Sequence, residues 1–595
     1  MLRNNGRHNF RSPFGIQPSL VLDFAGTGTL DPRVTFTRST TAPYYDGKTS
    51  VLAEQNLFTY SQDFTSSNWT KTGSVVIAPV VTGNATTAPD GTTTASQIVY
   101  PAVIGTNAYS ILFENPAQQI NSLIYTDSIY LKGSVGGEVI YLMFTTNGVT
   151  YVKTTCALTT SWQRFTLNHT AGATGNYVAI GVDLRDTTQS AQLAQTIYAW
   201  GAQLEQRSSV TAYNATTTSA ITNYIPQLLT APINQPRFDF NPTTGESLGL
   251  LIEQSSTNLL FQSQTFNNLG VWAVANATLT ANANIAPDGT QTVFQLIPSA
   301  SSTFTNVGQS ITATSQAYTT SWYVKYNGVQ FVQILFGGGL STNYANYDLI
   351  NGTVTGGTYT SATITPIGNG MYRISTTNTF AATSSGIYLA AIATGTSARA
   401  SNYTGNGYSG IYIWGAQLEA LAFPTSYIPT TSAQVTRASD NASMTGTNFS
   451  SWYNNAQGTV YVETSRPTNV GQNTAYTISD GSTGNNIIWT TYNTSLYETI
   501  IKNSGTTSAD MFASITYLAN FPYKNAVTYA SNSFAVVLNG AAPLTDSSGL
   551  VPVSCSALYL GSTWVNSVYL NGWIKKFAYY PQALTSAQLQ ALTGS

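Results

Sequence analysis

Residues 196–205 read TIYAWGAQLE and residues 410–419 read GIYIWGAQLE. Each string opens on an apolar alternation with the period of a strand, and clusters of Gly, Asn and Thr bound such segments along the chain. That is the pattern of a sandwich or barrel. Within each string the Trp has the character of a core residue and the Gly permits close strand approach. The terminal Glu205 and Glu419 are placed to pin the final strand to the first by accepting backbone N–H bonds.

Working outward, EQNLFTYSQDF from Glu54 aligns with EQSSTNLLFQSQTF from Glu253, and APDGT recurs from Ala88 and Ala286. SIYLKG ending at Gly133 matches SWYVKY ending at Tyr326, and SWQRFTL from Ser161 matches GMYRIST from Gly370. Drift in the spacing is what loop insertions in a common scaffold produce, so two copies of one domain are read. Pro-Asp-Gly is a turn with a mechanism, since Pro fixes φ and Gly accepts φ > 0. Asn351-Gly352, flanked by apolar alternation, predicts a hairpin with a type I′ turn.

Composition agrees. Only 8% of residues are Asp, Glu, Lys or Arg, against about 25% in ordinary globular proteins. With 42% hydrophobic residues, 37 Tyr, 24 Phe and 10 Trp, the chain can offset its conformational entropy, and its β-branched and aromatic bias reads as all-β. A formal net charge of −2 excludes nucleic acid as a partner. No apolar run reaches the length of a membrane span, and no secretory leader is read; a neutral, hydroxyl-rich surface without one suggests release by lysis. Cys156 and Cys555 are expected as buried free thiols.

The last part of the chain lacks the repeat and reads as a different sandwich, ending in a helix over TSAQLQALT from Thr585 that caps it. The start, MLRNNGRHNFR, gathers Arg3, Arg7 and Arg11 in a segment of low apolar content and reads as an arm. The expected domains are 1–50 (arm and attachment segment), 51–226 (first repeat), 227–250 (linker), 251–440 (second repeat) and 441–595 (third sandwich).

SLVLDFAGTGTLDPRVTFTRSTTAPYYDG from Ser19, PRFDFNPTTGESLGLLIEQSSTNLL from Pro236 and PTSYIPTTSAQVTRASD from Pro424 resemble motifs of bacteriophage tail-fibre and head-spike fibre proteins. In that family the first motif commonly runs directly into the second, whereas here a whole repeat stands between Gly47 and Pro236. The repeats resemble jelly-roll carbohydrate-binding modules, and LNGWIKKFAYYPQALTSAQL resembles concanavalin A-like and laminin-G-like sandwiches. The implied fold is a tandem of antiparallel β-sandwiches: two related jelly rolls and a concanavalin A-like domain. The implied function is a non-enzymatic fibre or spike on the virion surface, bound by its N-terminal part to other virion proteins through Arg3, Arg7 and Arg11, adhering to host-surface polysaccharide. The resemblance also implies a homotrimer, although no coiled-coil heptad is present. The alternatives are a capsid decoration protein without receptor binding and a polysaccharide depolymerase.

Sites are harder to place. Two histidines, His8 and His169, sit near no nucleophile or metal motif, which argues against triad and zinc chemistry. A glycosidase needs paired carboxylates, for which Glu54 with Glu205 and Glu253 with Glu419 are the candidates. Glu253 and Glu419 are also the candidates for a structural Ca2+ site; no other cofactor is expected. Sugar binding uses exposed aromatic platforms beside amides and carboxylates. Trp69, Trp272, Trp200 and Trp414 recur at matched positions and read as scaffold, leaving Trp489, Tyr492, Trp564 and Tyr569 as the ligand candidates.

Overall fold

The structure, a computed structural model, describes residues 15–116, 119–185, 189–337, 342–380, 384–468 and 470–594. Strand accounts for 51% of the chain and helix for 3%, which settles the all-β class. Among the described residues the strands build three antiparallel sandwiches.

The two repeats share one topology. One sheet of the first runs Gln163–Thr170, Ile124–Gly133, Gln195–Glu205, Ala95–Tyr100, Val80–Thr86. Its counterpart runs Met371–Thr379, Ala317–Asn327, Gly410–Glu419, Val293–Pro298, Ala277–Asn284, with Ser361–Gly368 added at the Met371–Thr379 edge. Each copy closes on its own core, around Trp69, Ile98 and Leu142 in the first and Trp272, Trp322 and Leu389 in the second.

Gly201 and Gly415, with φ of 66° and 60°, are left-handed, a conformation that costs Gly little. The register slips at both places, between Trp200 and Gln203 and at the matching Trp414 and Gln417. One extra residue inverts the side-chain alternation. Ile197, Ala199, Ala202 and Leu204 therefore all point into the core, while Trp200 lies outside it against Tyr130 and Tyr213. The Trp of the motif is thus buried scaffold, as is Trp414 at 0% exposure, but on the outer face of its sheet.

The Glu of the motif pins a loop more than a strand. Glu205 accepts from the Thr211 amide at 3.0 Å and from its hydroxyl. Glu419 does the same with Thr425 and also takes the Ser256 hydroxyl at 2.7 Å. First and last strands are tied by Asn56 and Asn258, whose carboxamides donate to the carbonyls of Ala202 and Ala416 and accept from the amides of Leu204 and Leu418. The hairpin at Asn351-Gly352 forms between Tyr344–Asp348 and Thr353–Thr358. Its turn is not the expected two-residue type, because Asp348 accepts from the amides of Ile350 and Asn351 and holds a longer loop.

The third sandwich departs from the contiguous 441–595 block expected. Leu20–Asp23 and Ser247–Ile252 both pair with Gly572–Tyr580, and Phe238–Phe240 pairs with Ser247–Ile252. Thr35–Thr37 pairs with Asn441–Thr445 in the opposing sheet. Much of the expected arm and linker is therefore strand of this domain. Leu20, Leu22, Phe36, Leu250 and Ile252 are buried in its core, and that burial outweighs the sequence distance. Arg3, Arg7, Arg11 and His8 lie outside the described residues.

Each repeat is consequently an insert in this host sandwich. The first enters and leaves through a ribbon of Ala42–Asn56 with Ile221–Ala231, the second through Ser256–Asn258 with Val435–Arg437. At the junction five charges are buried together. Asp440, 0% exposed, pairs with Arg38 at 2.8 Å and with Arg237, and accepts from the Glu253 amide. Glu253 pairs with Arg237 at 2.8 Å and lies 3.5 Å from Arg437. Burial would raise the Glu253 carboxyl, but Arg437 and Arg237 pull it down to about 2. In a chain so poor in charge, this cluster joins segments from four parts of the sequence. At the C-terminus the helix Ser586–Gly594 opens on a capping box in which Thr585 and Gln588 bond reciprocally. Its Leu589 and Leu592 pack on the host's outer face with Val537 and Tyr580.

Candidate functional site

The residues nominated from the sequence separate. Tyr492 and Tyr569 are 1% and 6% exposed, in the host core, and the Tyr569 hydroxyl donates to Asn441; neither offers a ring to a ligand. Their loop-like sequence setting hid strand alternation and a closing contact. Trp489 and Trp564 are half-buried and meet edge to face at 6.5 Å. Trp564 lies over Gly484, where a Cβ would meet the indole at 2.2 Å. Asp480 organises the loop beneath by accepting the amides of Ser482, Thr483 and Asn486, so this pair is a small platform on the host.

The carboxylates proposed in pairs are each engaged elsewhere. Glu54 pairs with Lys325 and accepts from Asn369 at 2.9 Å, while Glu205 holds Thr211. Glu253 and Glu419 do approach one loop, accepting the successive amides of Ser426 and Thr425, but Arg237 also occupies the first and Ser256 the second. Among the described residues no three His, Cys, Asp or Glu side chains gather as a metal site.

The internal duplication exposes a surface that sequence reasoning passed over. On the outer face of the repeat-2 sheet, Gln295, Tyr412, Lys325 and Met371 lie side by side across neighbouring strands, with Trp414, Tyr323 and Arg373 in the next row. This face is covered. The insert ribbon lays Tyr45 and Leu228 on Tyr323, Met371, Tyr412 and Trp414, and Glu54 of the same ribbon meets the Lys325 ammonium. Burial would raise Glu54, but Lys325, with Asn369 and Asn223, holds it below the usual carboxylate range.

Repeat 1 carries the same face with the cover absent from its upper row. Gln97, Tyr198 and Lys132 are aligned across the strands, and the Lys132 ammonium lies 4.9 Å from the Trp162 ring and 5.2 Å from that of Tyr198. Trp162 stands where repeat 2 has Met371, and its indole N–H donates to the Thr87 carbonyl at 3.0 Å. Tyr130, Trp200 and Arg164 form the next row, with Tyr213 against Trp200 at 4.5 Å. Arg164 bonds the Thr211 carbonyl and Ser128 hydroxyl and lies over the Tyr130 ring.

This lower row floors a cleft of about 590 Å3 between the repeats. Its far wall is repeat 2, from which Tyr408, Tyr412, Gln295 and Asn282 contribute. Repeat 1 adds Asp90, whose carboxylate is positioned by the Thr92 amide and hydroxyl. Aromatic walls with amide, carboxylate and guanidinium groups at the rim can stack on the apolar face of a sugar and bond its hydroxyls. The one sequence signal for the exposed upper row beside it was the Trp162-for-Met371 difference between otherwise matched strands.

No family model matches the chain, and no curated protein sequence matches it. Among solved structures, the CBM40 of the Ruminococcus gnavus IT-sialidase bound to α2,3-sialyllactose is similar at 16% identity and TM-score 0.22, over 24% of this chain and 84% of that one. The CBM22-1–CBM22-2 tandem of Paenibacillus barcinonensis Xyn10C is similar at 10% identity and TM-score 0.19, over 63% of this chain and 100% of that one. The receptor-binding domain of botulinum neurotoxin mosaic serotype C/D is similar at 13% identity and TM-score 0.19, over 26% and 39%. The chemistry of the cleft rests on its own residues.

Proposed function

We propose that the protein is a non-catalytic glycan-binding fibre or spike displayed on a bacteriophage particle, holding oligosaccharide in the cleft between its two repeats. The observation that carries the binding role is the cleft itself: Tyr130, backed by the buried Trp200, and Tyr408 supply ring faces, and Arg164, Asp90 and Gln295 supply donors and acceptors around them. Placement on a phage particle rests on the motif resemblance, whose three stretches contain Arg38, Arg237, Glu253, Arg437 and Asp440, the residues of the buried junction. The host sandwich then carries the repeats outward, with the N-terminal residues toward the particle and a trimer as the expected assembly.

Tyr408 is the residue to test, because it is 36% exposed and reaches across to Gly91 of repeat 1. Tyr408→Ala should weaken binding on a glycan array by about tenfold, the scale of one lost stacking ring. Undiminished binding by Tyr408→Ala would remove the cleft. Release of oligosaccharide from polysaccharide would replace adhesion by hydrolysis, and absence of any glycan binding would leave a decoration protein.

A further inference from the structure

We infer that the upper row of the repeat-1 face is a carboxylate-recognising subsite, so that the preferred ligand is an acidic oligosaccharide whose carboxylate meets Lys132 while its sugar ring lies on Trp162 and Tyr198. This deepens the glycan reading and rests on it. The duplication supplies the occupied form of the same site. In repeat 2 the matched Lys325 receives a carboxylate, that of Glu54, flanked by the amides of Asn223 and Asn369. That carboxylate arrives on a ribbon whose apolar side chains cover the matched Tyr412 and Met371. The surface therefore accepts an anion attached to an apolar body.

In repeat 1 the lysine, the tyrosine and the glutamine are retained, with Lys132 held over two rings in place of a carboxylate partner. The residue that changes is the one that would stack: Met371 becomes Trp162, with its indole fixed by the Thr87 carbonyl. Gln97, 3.4 Å from the Tyr198 hydroxyl, adds an amide at the rim. A protein ribbon is disfavoured as occupant by the geometry of the neighbouring turn. In repeat 2 the ribbon's Gln227 lies on Gly289 of the Pro-Asp-Gly turn and donates to the Asp288 carbonyl. In repeat 1 the matched Gly91 is already covered by Tyr408, and the path of a second ribbon is closed there. The row lies two residues along the same strands from Tyr130 and Trp200 of the cleft floor, so one extended ligand spans both.

The test compares the full chain binding to a hexuronic acid tetrasaccharide, to a sialic acid-terminated trisaccharide and to the carboxyl-reduced form of each. We expect the acidic forms to bind roughly tenfold more tightly than their reduced counterparts, as a charge-assisted hydrogen bond allows. Lys132→Met should bring that ratio to about one, and Lys132→Arg should restore most of it; thermal melts of each variant verify folding. The uronic and sialic arms identify which sugar supplies the carboxylate. Equal binding of acidic and reduced forms, sensitive to Tyr408→Ala, overturns this subsite and leaves the cleft. Binding of none by folded protein overturns both. A larger species in sedimentation that Lys132→Met dissociates overturns the subsite in favour of an interface with a second copy.

Discussion

Asp440→Asn is the substitution expected to do most damage for one atom exchanged. The Asp440 side chain is 0% exposed and serves Arg38, Arg237 and the Glu253 amide together. The junction holds three guanidinium groups against two carboxylates, so the variant leaves a single carboxylate for three buried cations and turns an amide N–H₂ toward one of them. Removing one partner of a buried ion pair costs about 3–5 kcal/mol, and the double engagement of Asp440 places the loss near the middle or above, about 4 kcal/mol. For a domain of about 150–250 residues each kcal/mol moves the melting temperature by about 2–4 °C, which predicts a fall of about 8–16 °C. Differential scanning calorimetry of the full chain should show this fall in the host sandwich's transition. Asp31→Asn provides the contrast, because its partner Arg33 is 34% exposed, and exposed pairs contribute about 0–1 kcal/mol. A host transition that moves by less than about 3 °C in Asp440→Asn would refute the idea that this cluster holds the junction together.

Other consequences can be checked on the repeats. Burial pushes the Glu114 carboxyl up to about 7 against the lowering bonds from Thr59, so the stability it contributes is present below about pH 4.5 and lost as pH rises through about 7. Repeat 2 places Gln309 at the equivalent position, bonded to both backbone groups of Phe261. Glu114→Gln should therefore stabilise repeat 1 by about 1–3 kcal/mol at pH 8 and little at pH 4 in denaturant titrations; equal effects at both would contradict the assignment. Glu419→Gln, which sets an amide N–H₂ against the Ser256 and Thr425 donors, should destabilise repeat 2 by about 2 kcal/mol without altering glycan preference, read by melts and array together. Gly415→Ala should cost more than Gly201→Ala: both are left-handed, but the new methyl would lie 2.8 Å from the Tyr323 ring in repeat 2 and 3.3 Å from Tyr130 in repeat 1.

Much of this architecture was legible because duplication repeats local constraints. WGAQLE recurs since one inverted register needs Gly between an outward Trp and an outward Gln, and those needs are met within a few residues. APDGT recurs for the same reason. The host domain was not legible as one unit, because Leu20–Asp23 has its partner at the far end of the chain and nothing in its alternation names that partner. The junction residues were visible inside the quoted motifs as single charges, but their assembly depends on four segments meeting. The candidate site was missed for a subtler cause. Lys132 and Lys325 occupy matched strings, and alignment of the copies shows only the Trp162-for-Met371 exchange beside them; the ribbon carrying Glu54, which covers one lysine and not the other, is a difference in surroundings that alignment does not contain.

Where the inserts enter the host has a consequence for the order of assembly. The host's Gly572–Tyr580 strand lies between Ser247–Ile252 and Gln457–Ser465 and also receives Leu20–Asp23, so the sheet cannot close until nearly the whole chain has been synthesised. Each repeat has its strands in one continuous stretch and can fold as it emerges. The early host strands must then wait, unpaired and apolar, while two finished domains accumulate between them. Because each insert leaves the host beside the point at which it entered, an ancestral chain could gain or lose a whole repeat without repositioning a single host strand.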